Sequence, residues 1–260
     1  MAEWLKAHAW KACKGETLSW VRIPFSPPLT NFYMIKKFIN RNNIFYKPYL
    51  FFRIFWLEKF FLKKKSYSQC GEDIFIIEFF KDKISKGIYL DIGAFNPIKF
   101  NNTYLLHKKG WKGTNIDLNQ TSIDLFNILR PYDENICAAI SDKVEKVEVY
   151  IENLFSPLNT ISPDHLKLSD NDKLKKTTYF IETKMINDLI KHKFDFLNID
   201  IEGLDIKVLK SINLKFYNPR LICIEILNPK NEIELSDYLM KHGYYFEKKM
   251  GPSYFFSKNS

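Results

Sequence analysis

Ile88-Tyr89-Leu90-Asp91-Ile92-Gly93-Ala94-Phe95-Asn96-Pro97 is the stretch whose reading decides the fold. A short apolar run ends in an acid and then breaks on glycine, as a buried parallel strand followed by a tight turn is written. Gly93 lets the backbone come close to a ligand. Asp91 sets a carboxylate at a strand's carboxyl end, where open α/β sheets bind their ligands. Alone the motif is weak, because many buried strands end in Asp-x-Gly. It gains weight from Gly113–Asp117, Phe194–Gly203 with Asp200 and Glu202, and Leu221–Glu225. Four apolar runs end in a carboxylate, and helical patterns lie between most of them. The sequence therefore predicts a doubly wound, mostly parallel α/β sheet, Rossmann-like, with helices on both faces and a nucleotide-type site at its carboxyl edge.

Working outward, Ile74–Phe80 reads as a helix, and Asn101-Asn102-Thr103 as caps for a helix running to Lys109. Gly110–Gly113 turns into the second strand, a helix follows over Thr121–Leu129, and Asn135–Asp142 reads as the third strand. Val144–Ile151 alternates as an added strand. Asn153–Thr178 is polar and aperiodic and contains Pro157 and Pro163, the composition of a lid or binding loop. A strand (Tyr179–Thr183), a helix (Met185–His192), the strand to Asp200, a strand over Pro219–Leu227, a helix over Glu232–His242 and a closing hairpin over Tyr244–Phe256 complete the sheet.

With 260 residues, 31.0 kDa and 46% hydrophobic content, the chain can bury one full domain core and carry an appendage. The net charge of +9 is unevenly placed. Residues 1–65 hold 13 Lys/Arg against 3 Asp/Glu, which leaves 26 basic and 27 acidic residues in 66–260. The core region has no electrostatic footprint for nucleic acid. Cys13, Cys70, Cys137 and Cys223 are scattered without Cys-x-x-Cys pairs, so neither a metal cluster nor a disulfide framework is expected, and a cytoplasmic location fits best.

Three segments follow. Residues 1–33 carry Trp4, Trp10 and Trp20 without period, and Met1-Ala-Glu-Trp-Leu-Lys and Trp20-Val-Arg-Ile-Pro24 resemble a translated serine tRNA gene. On that reading Met34 is the better start. Residues 34–65 form a basic aromatic helical extension, and 66–260 the main domain. The segment 49–65 is too short and too charged to span a membrane. It suits either peripheral contact with the inner face of a membrane or a helix covering the sheet or a partner subunit. The oligomeric state is open.

Asp117, after the second strand, sits where the ribose hydroxyls of a nucleoside would be and can accept hydrogen bonds there. Asp91–Asn96 lacks the Gly-x-Gly-x-x-Gly spacing that brings a helix N-terminus onto phosphate. A ribose-bearing, phosphate-free cofactor fits better than NAD, and S-adenosylmethionine is such a molecule.

At this point Ser68 to about Phe256 resembles the FkbM-type S-adenosylmethionine-dependent methyltransferases. The matching pieces are Ser68-Gln69-x-Gly71-Glu72-Asp73, Asp91-Ile-Gly93-Ala94, Asn102-Thr103-Tyr104, Gly110-Trp111-x-Gly113, Asp117 and Asp200-x-Glu202-Gly203. The resemblance implies a class I methyltransferase fold and methyl transfer to an oxygen, often a sugar hydroxyl. It makes Asp91, Gly93 and Asp117 cofactor residues, with Glu72, Ala94 and Asp200 joining them from the matching pieces. Asn102 and Thr103 would shape the same pocket, and Ser141 would contact adenine. Phe95-Asn96-Pro97 departs from the glycine-rich turn of many methyltransferases.

Asp200 and Glu202 are the candidate catalytic pair, one as base and one orienting substrate or the cofactor amine. The competing reading has Glu202 capping a helix near Leu204. Paired acids also suit a divalent metal, which nothing here requires. Glu225 is a substrate candidate, with a lysine salt bridge as the alternative, and His165 in the lid is a weaker one. His107 and His242 read as solvent-facing. The expected function is O-methylation of a small molecule or a glycan or glycolipid precursor, by analogy with enzymes of surface-polysaccharide synthesis. The rival classes are a nicotinamide oxidoreductase and a non-catalytic, membrane-associated binding module.

Overall fold

A computed structural model describes residues 41–57, 65–82, 85–151, 161, 177–201, 203–226, 228 and 231–258. The leader 1–33, most of the lid segment with His165, and Glu202 lie outside the described residues.

Seven strands form one sheet in the order β3-β2-β1-β6-β7-β9-β8. They are β1 (Ile88–Ile92), β2 (Lys112–Asp117), β3 (Glu134–Cys137), β6 (Phe196–Ile199), β7 (Leu221–Glu225), β8 (Tyr244–Met250) and β9 (Ser253–Lys258). The first five run parallel, and β8 and β9 close the edge as an antiparallel hairpin. Strand order reverses between β1 and β6, so the crevice beyond their carboxyl ends is the topological switch point.

Alternation assigns the two faces. Leu90, Ile92, Leu197, Ile199, Ile222 and Ile224 pack against α5 (Ile186–Leu189), α6 (Asp205–Ser211), α7 (Leu214–Tyr217) and α8 (Asn231–Lys241). Tyr89, Phe196, Leu221, Cys223 and Phe255 face α2 (Glu72–Phe80) and α3 (Tyr104–Lys108), where Phe80 meets Trp111 edge to face at 4.8 Å. α4 (Gln120–Leu129) follows β2, and α1 (Tyr46–Phe52) with a π turn (Arg53–Leu57) packs Tyr46, Leu50 and Ile54 onto its Leu125. Among the described residues no helix is long and apolar enough to cross a membrane.

Several elements depart from expectation. The added strand over 144–151 is β4 (Lys146–Ile151), which among the described residues pairs with β5 (Thr177–Glu182) in an antiparallel ribbon apart from the main sheet. β3 stops at Cys137, and only an isolated bridge, Ile140 to Lys184, continues it. The helix expected to reach His192 ends at Leu189, because Ile190 is extended and its carbonyl accepts from the Tyr217 hydroxyl at 2.7 Å. Cys137 and Cys223 are free thiols.

Candidate functional site

The site begins with a polar row inside the sheet. Strand registers align Asn135, Asn115, Asp91, Asn198 and Cys223 side by side, and register partners share a face. Asn115 donates to Asn135 at 2.9 Å, and Asn198 donates to Asp91 Oδ1 at 2.8 Å. Asn102 donates to Asn198 at 3.0 Å and approaches Cys223 Sγ at 3.8 Å. Thr103 Oγ1 donates to Asp91 Oδ2 at 2.9 Å, with the Asn101 amide 3.4 Å away. Both Asp91 oxygens thus have protein donors. Burial nevertheless raises its pKa, with these bonds and Arg130 opposing the shift.

Arg130, the C-cap residue of α4, underlies this network and is fully buried. Its guanidinium donates to Thr103 Oγ1 at 2.9 Å, Asn101 Oδ1 at 2.8 Å, the Tyr89 hydroxyl at 3.1 Å and the Pro97 carbonyl. Asn101 and Thr103 therefore bridge a buried cation to a buried anion. The Thr103 hydroxyl is drawn into the network, so it makes no cap to α3 as expected of it. Tyr89 passes the chain outward, donating to Asp133 Oδ2 at 2.6 Å, which lies 3.4 Å from His107 Nδ1. His107 faces this carboxylate and is half-buried rather than fully turned to solvent.

The turn after β1 is built by glycine. Gly93 has φ +83°, and a Cβ there would lie 1.7 Å from the Asp200 carbonyl oxygen, so no side chain fits. Phe95 and Phe100, at φ 51°, also adopt left-handed backbone, a costly conformation for an aromatic residue that the surroundings must enforce. Asp117 does part of that work, accepting from the Phe95 N–H at 2.8 Å and from the Asn119 N–H at 2.6 Å. Burial first, and the Asp91 charge, push Asp117 up to about 6 against the pull of these bonds. A carboxylate offers about four acceptor sites, so Asp117 keeps capacity for a ligand hydroxyl.

Across the switch point, Asp200 follows β6 directly and stays accessible to solvent while the protein around it partly desolvates its carboxyl. Burial first, then the Asp205 charge, push it up to about 7, with Asp91 and Glu72 adding repulsion. Its side chain hydrogen-bonds Glu225, at the end of β7. Asp205 fixes the turn behind it, accepting from the Ile201 N–H at 2.8 Å and the Gly203 N–H at 2.9 Å. Glu72, buried at the start of α2, accepts from the Cys70 N–H at 2.6 Å.

The sheet thus gathers Glu72, Asp91, Gly93, Ala94, Asp117, Asp200 and Glu225 at one edge. Ser141, beyond β3, is buried and donates to Asp142 at 3.0 Å. No cluster of metal-ligating side chains occurs among the described residues. A separate concavity of about 600 Å³, lined by Phe79, Ile88, Asp195 and Arg220, opens at the strands' amino ends, away from this edge.

Sequence reasoning missed Asn101, Asn115, Asn198, Arg130 and Asp205. Asn115 and Asn198 did leave a signal, as polar residues inside apolar runs and in phase with Tyr89 and Phe196. Arg130 left none, since nothing local tells a buried arginine from a solvated one.

Solved structures similar to the chain include the methyltransferase FkbM of Methylobacillus flagellatus KT, at 12% identity and TM-score 0.47, covering 88% of this chain and 58% of that one. The chain therefore spans somewhat over half the length of that relative. A TehB-like SAM-dependent methyltransferase from Corynebacterium glutamicum ATCC 13032 Kitasato has 12% identity and TM-score 0.43, covering 82% and 100%. A Burkholderia thailandensis 1,6-didemethyltoxoflavin-N1-methyltransferase, solved with 1,6-didemethyltoxoflavin and S-adenosylhomocysteine, has 12% identity and TM-score 0.37, covering 92% and 94%. No curated protein matches the chain. The profile of the methyltransferase FkbM domain matches residues 91–247, from the first carboxylate of the edge into the closing hairpin, and on this evidence the chain belongs to the FkbM methyltransferase domain family.

Proposed function

We propose that this protein is an S-adenosylmethionine-dependent O-methyltransferase acting on a sugar hydroxyl of a glycan or glycolipid precursor. The observation that carries the reading is the character of the switch point: carboxyl groups from β1, β2, β6, β7 and α2 converge, and the turn after β1 lacks a phosphate-binding fingerprint. Such an edge suits a ligand with positive charge and ribose hydroxyls and repels a pyrophosphate, which disfavours the nicotinamide reading. The donor set fits the cofactor. Asp117 would accept from ribose, and Asp200, Glu72 and Glu225 supply negative charge for the ammonium and sulfonium groups.

Bound there, S-adenosylmethionine supplies an electrophilic methyl group. The chain's own residues must align the acceptor oxygen and remove its proton as the O–CH₃ bond forms and the S–CH₃ bond breaks. Asp200 is the candidate for taking that proton. Its raised pKa brings it near neutrality, where a base is most effective, and Glu225 orients it through their hydrogen bond. The glycan acceptor rests on family analogy, and the acid pair favours a hydroxyl-bearing substrate in general. The test is Asp200→Asn, which should lower turnover about 10²–10⁴-fold in an assay with acceptor oligosaccharides while adenosylhomocysteine affinity changes far less. Wild-type turnover in that variant would remove Asp200 as the base.

A further inference from the structure

Residues 44–55 carry two apolar stripes on opposite sides. The inner one, Tyr46, Leu50 and Ile54, is buried on α4. Tyr46 also donates to Asp124 at 2.7 Å, and Arg41 Nε pairs with the same carboxylate at 3.0 Å. The outer one holds Ile44, Phe45, Phe51 and Phe55, at 83%, 62%, 48% and 59% exposure, with Phe51 and Phe55 stacked at 6.2 Å. Isolated exposed hydrophobes need no explanation, but four large ones in a row do.

We propose that this outer face is a peripheral docking surface for an anionic lipid bilayer. Charge selects the occupant. Residues 34–65 contain nine Lys/Arg and one Asp/Glu, whereas 66–260 carries 26 basic and 27 acidic residues. Aromatic rings flanked by cations are what an anionic interface attracts. Four partly exposed side chains also offer only roughly 400 Å², from about 150–250 Å² per ring, against about 800 Å² per partner for a stable protein interface. Because α1 rests on the first turn of α4, next to Asn119 and Asp117, docking would hold the carboxyl edge near the headgroups. That corollary rests on the methyltransferase reading; the docking itself does not.

Co-sedimentation of the full chain with phosphatidylglycerol/phosphatidylcholine vesicles and with pure phosphatidylcholine vesicles tests it. Wild type should bind the anionic vesicles at least tenfold more tightly than the neutral ones, and raised salt should weaken the binding. Phe51→Glu/Phe55→Glu should lose at least tenfold while keeping adenosylhomocysteine affinity and the melting temperature. Lys47→Glu, which keeps both rings at an exposed position, should lose several-fold and guards against a folding defect in the first variant. Absence of wild-type binding, or equal binding by wild type and both variants, overturns the proposal. So does a concentration-dependent dimer that Phe51→Glu/Phe55→Glu abolishes, since a second copy would then own the face.

Discussion

Burial, with the Asp205 charge close by, governs how Asp200 behaves with pH. Its folded pKa of about 7, and about 6 for Asp117, both lie above the ordinary 3.8. The folded state therefore holds protons that the unfolded chain releases above pH 4, so unliganded stability should fall as pH rises from about 4 to 7. Binding of a cationic ligand favours the ionised forms, so adenosylmethionine affinity should rise through pH 6–7 with net proton release. Calorimetry in buffers of different ionisation enthalpy would read that release directly. Asp117→Ala should weaken adenosylhomocysteine by about 1–3 kcal/mol, and an unchanged Kd would end the ribose assignment. Arg130→Ala strands Asp91, Asn101 and Thr103 in the core and should cost about 3–5 kcal/mol in urea unfolding. Arg130→Lys should rescue little, because a point charge cannot serve the four directions that the guanidinium fork reaches. The carboxylates were legible because each terminates an apolar run. The groups that satisfy them were not, because Asn101 and Arg130 meet Asp91 only through chain reversals that no local pattern encodes.

At the scale of elements, strands buried on both faces were the easiest to read, since unbroken apolar runs between turn signals leave few alternatives. β1, β6 and β7 came out within a residue or two of expectation. The amphipathic pattern of 144–151 fits a half-exposed strand anywhere, and it does not say which partner the strand will take. Here the partner is β5, and the ribbon leaves Phe180 64% exposed. Phe180→Ser should accordingly shift stability by under about 0.5 kcal/mol, whereas Phe196→Ala, in the core of β6, should cost about 3–5 kcal/mol. Chemical denaturation of the two variants side by side would check the contrast; equal losses would mean that the ribbon belongs to the core. The Met185–His192 helix failed for a tertiary reason, as Tyr217 captures the Ile190 carbonyl that a longer helix would have used.

Across the whole molecule, charge and chemistry are separated along the chain. The basicity behind the pI of about 9.1 belongs to the first 65 residues, while the domain that carries the crevice is close to neutral. The polar row through the sheet is a second global property, and it bears on how the chain finds its fold. A strand that slips by one residue turns every side chain to the opposite face. For β1, β2 or β6 such a slip would drive Asp91, Asn115 or Asn198 into the aliphatic layer of Leu90, Ile92 and Leu197, at about 1–3 kcal/mol for each stranded group. The row should therefore penalise misaligned strands during assembly, where an all-aliphatic strand would tolerate them. Replacing both Asn115 and Asn198 with leucine should leave much of the native burial intact yet make refolding heterogeneous, adding slow phases in stopped-flow tryptophan fluorescence to those of the wild-type chain.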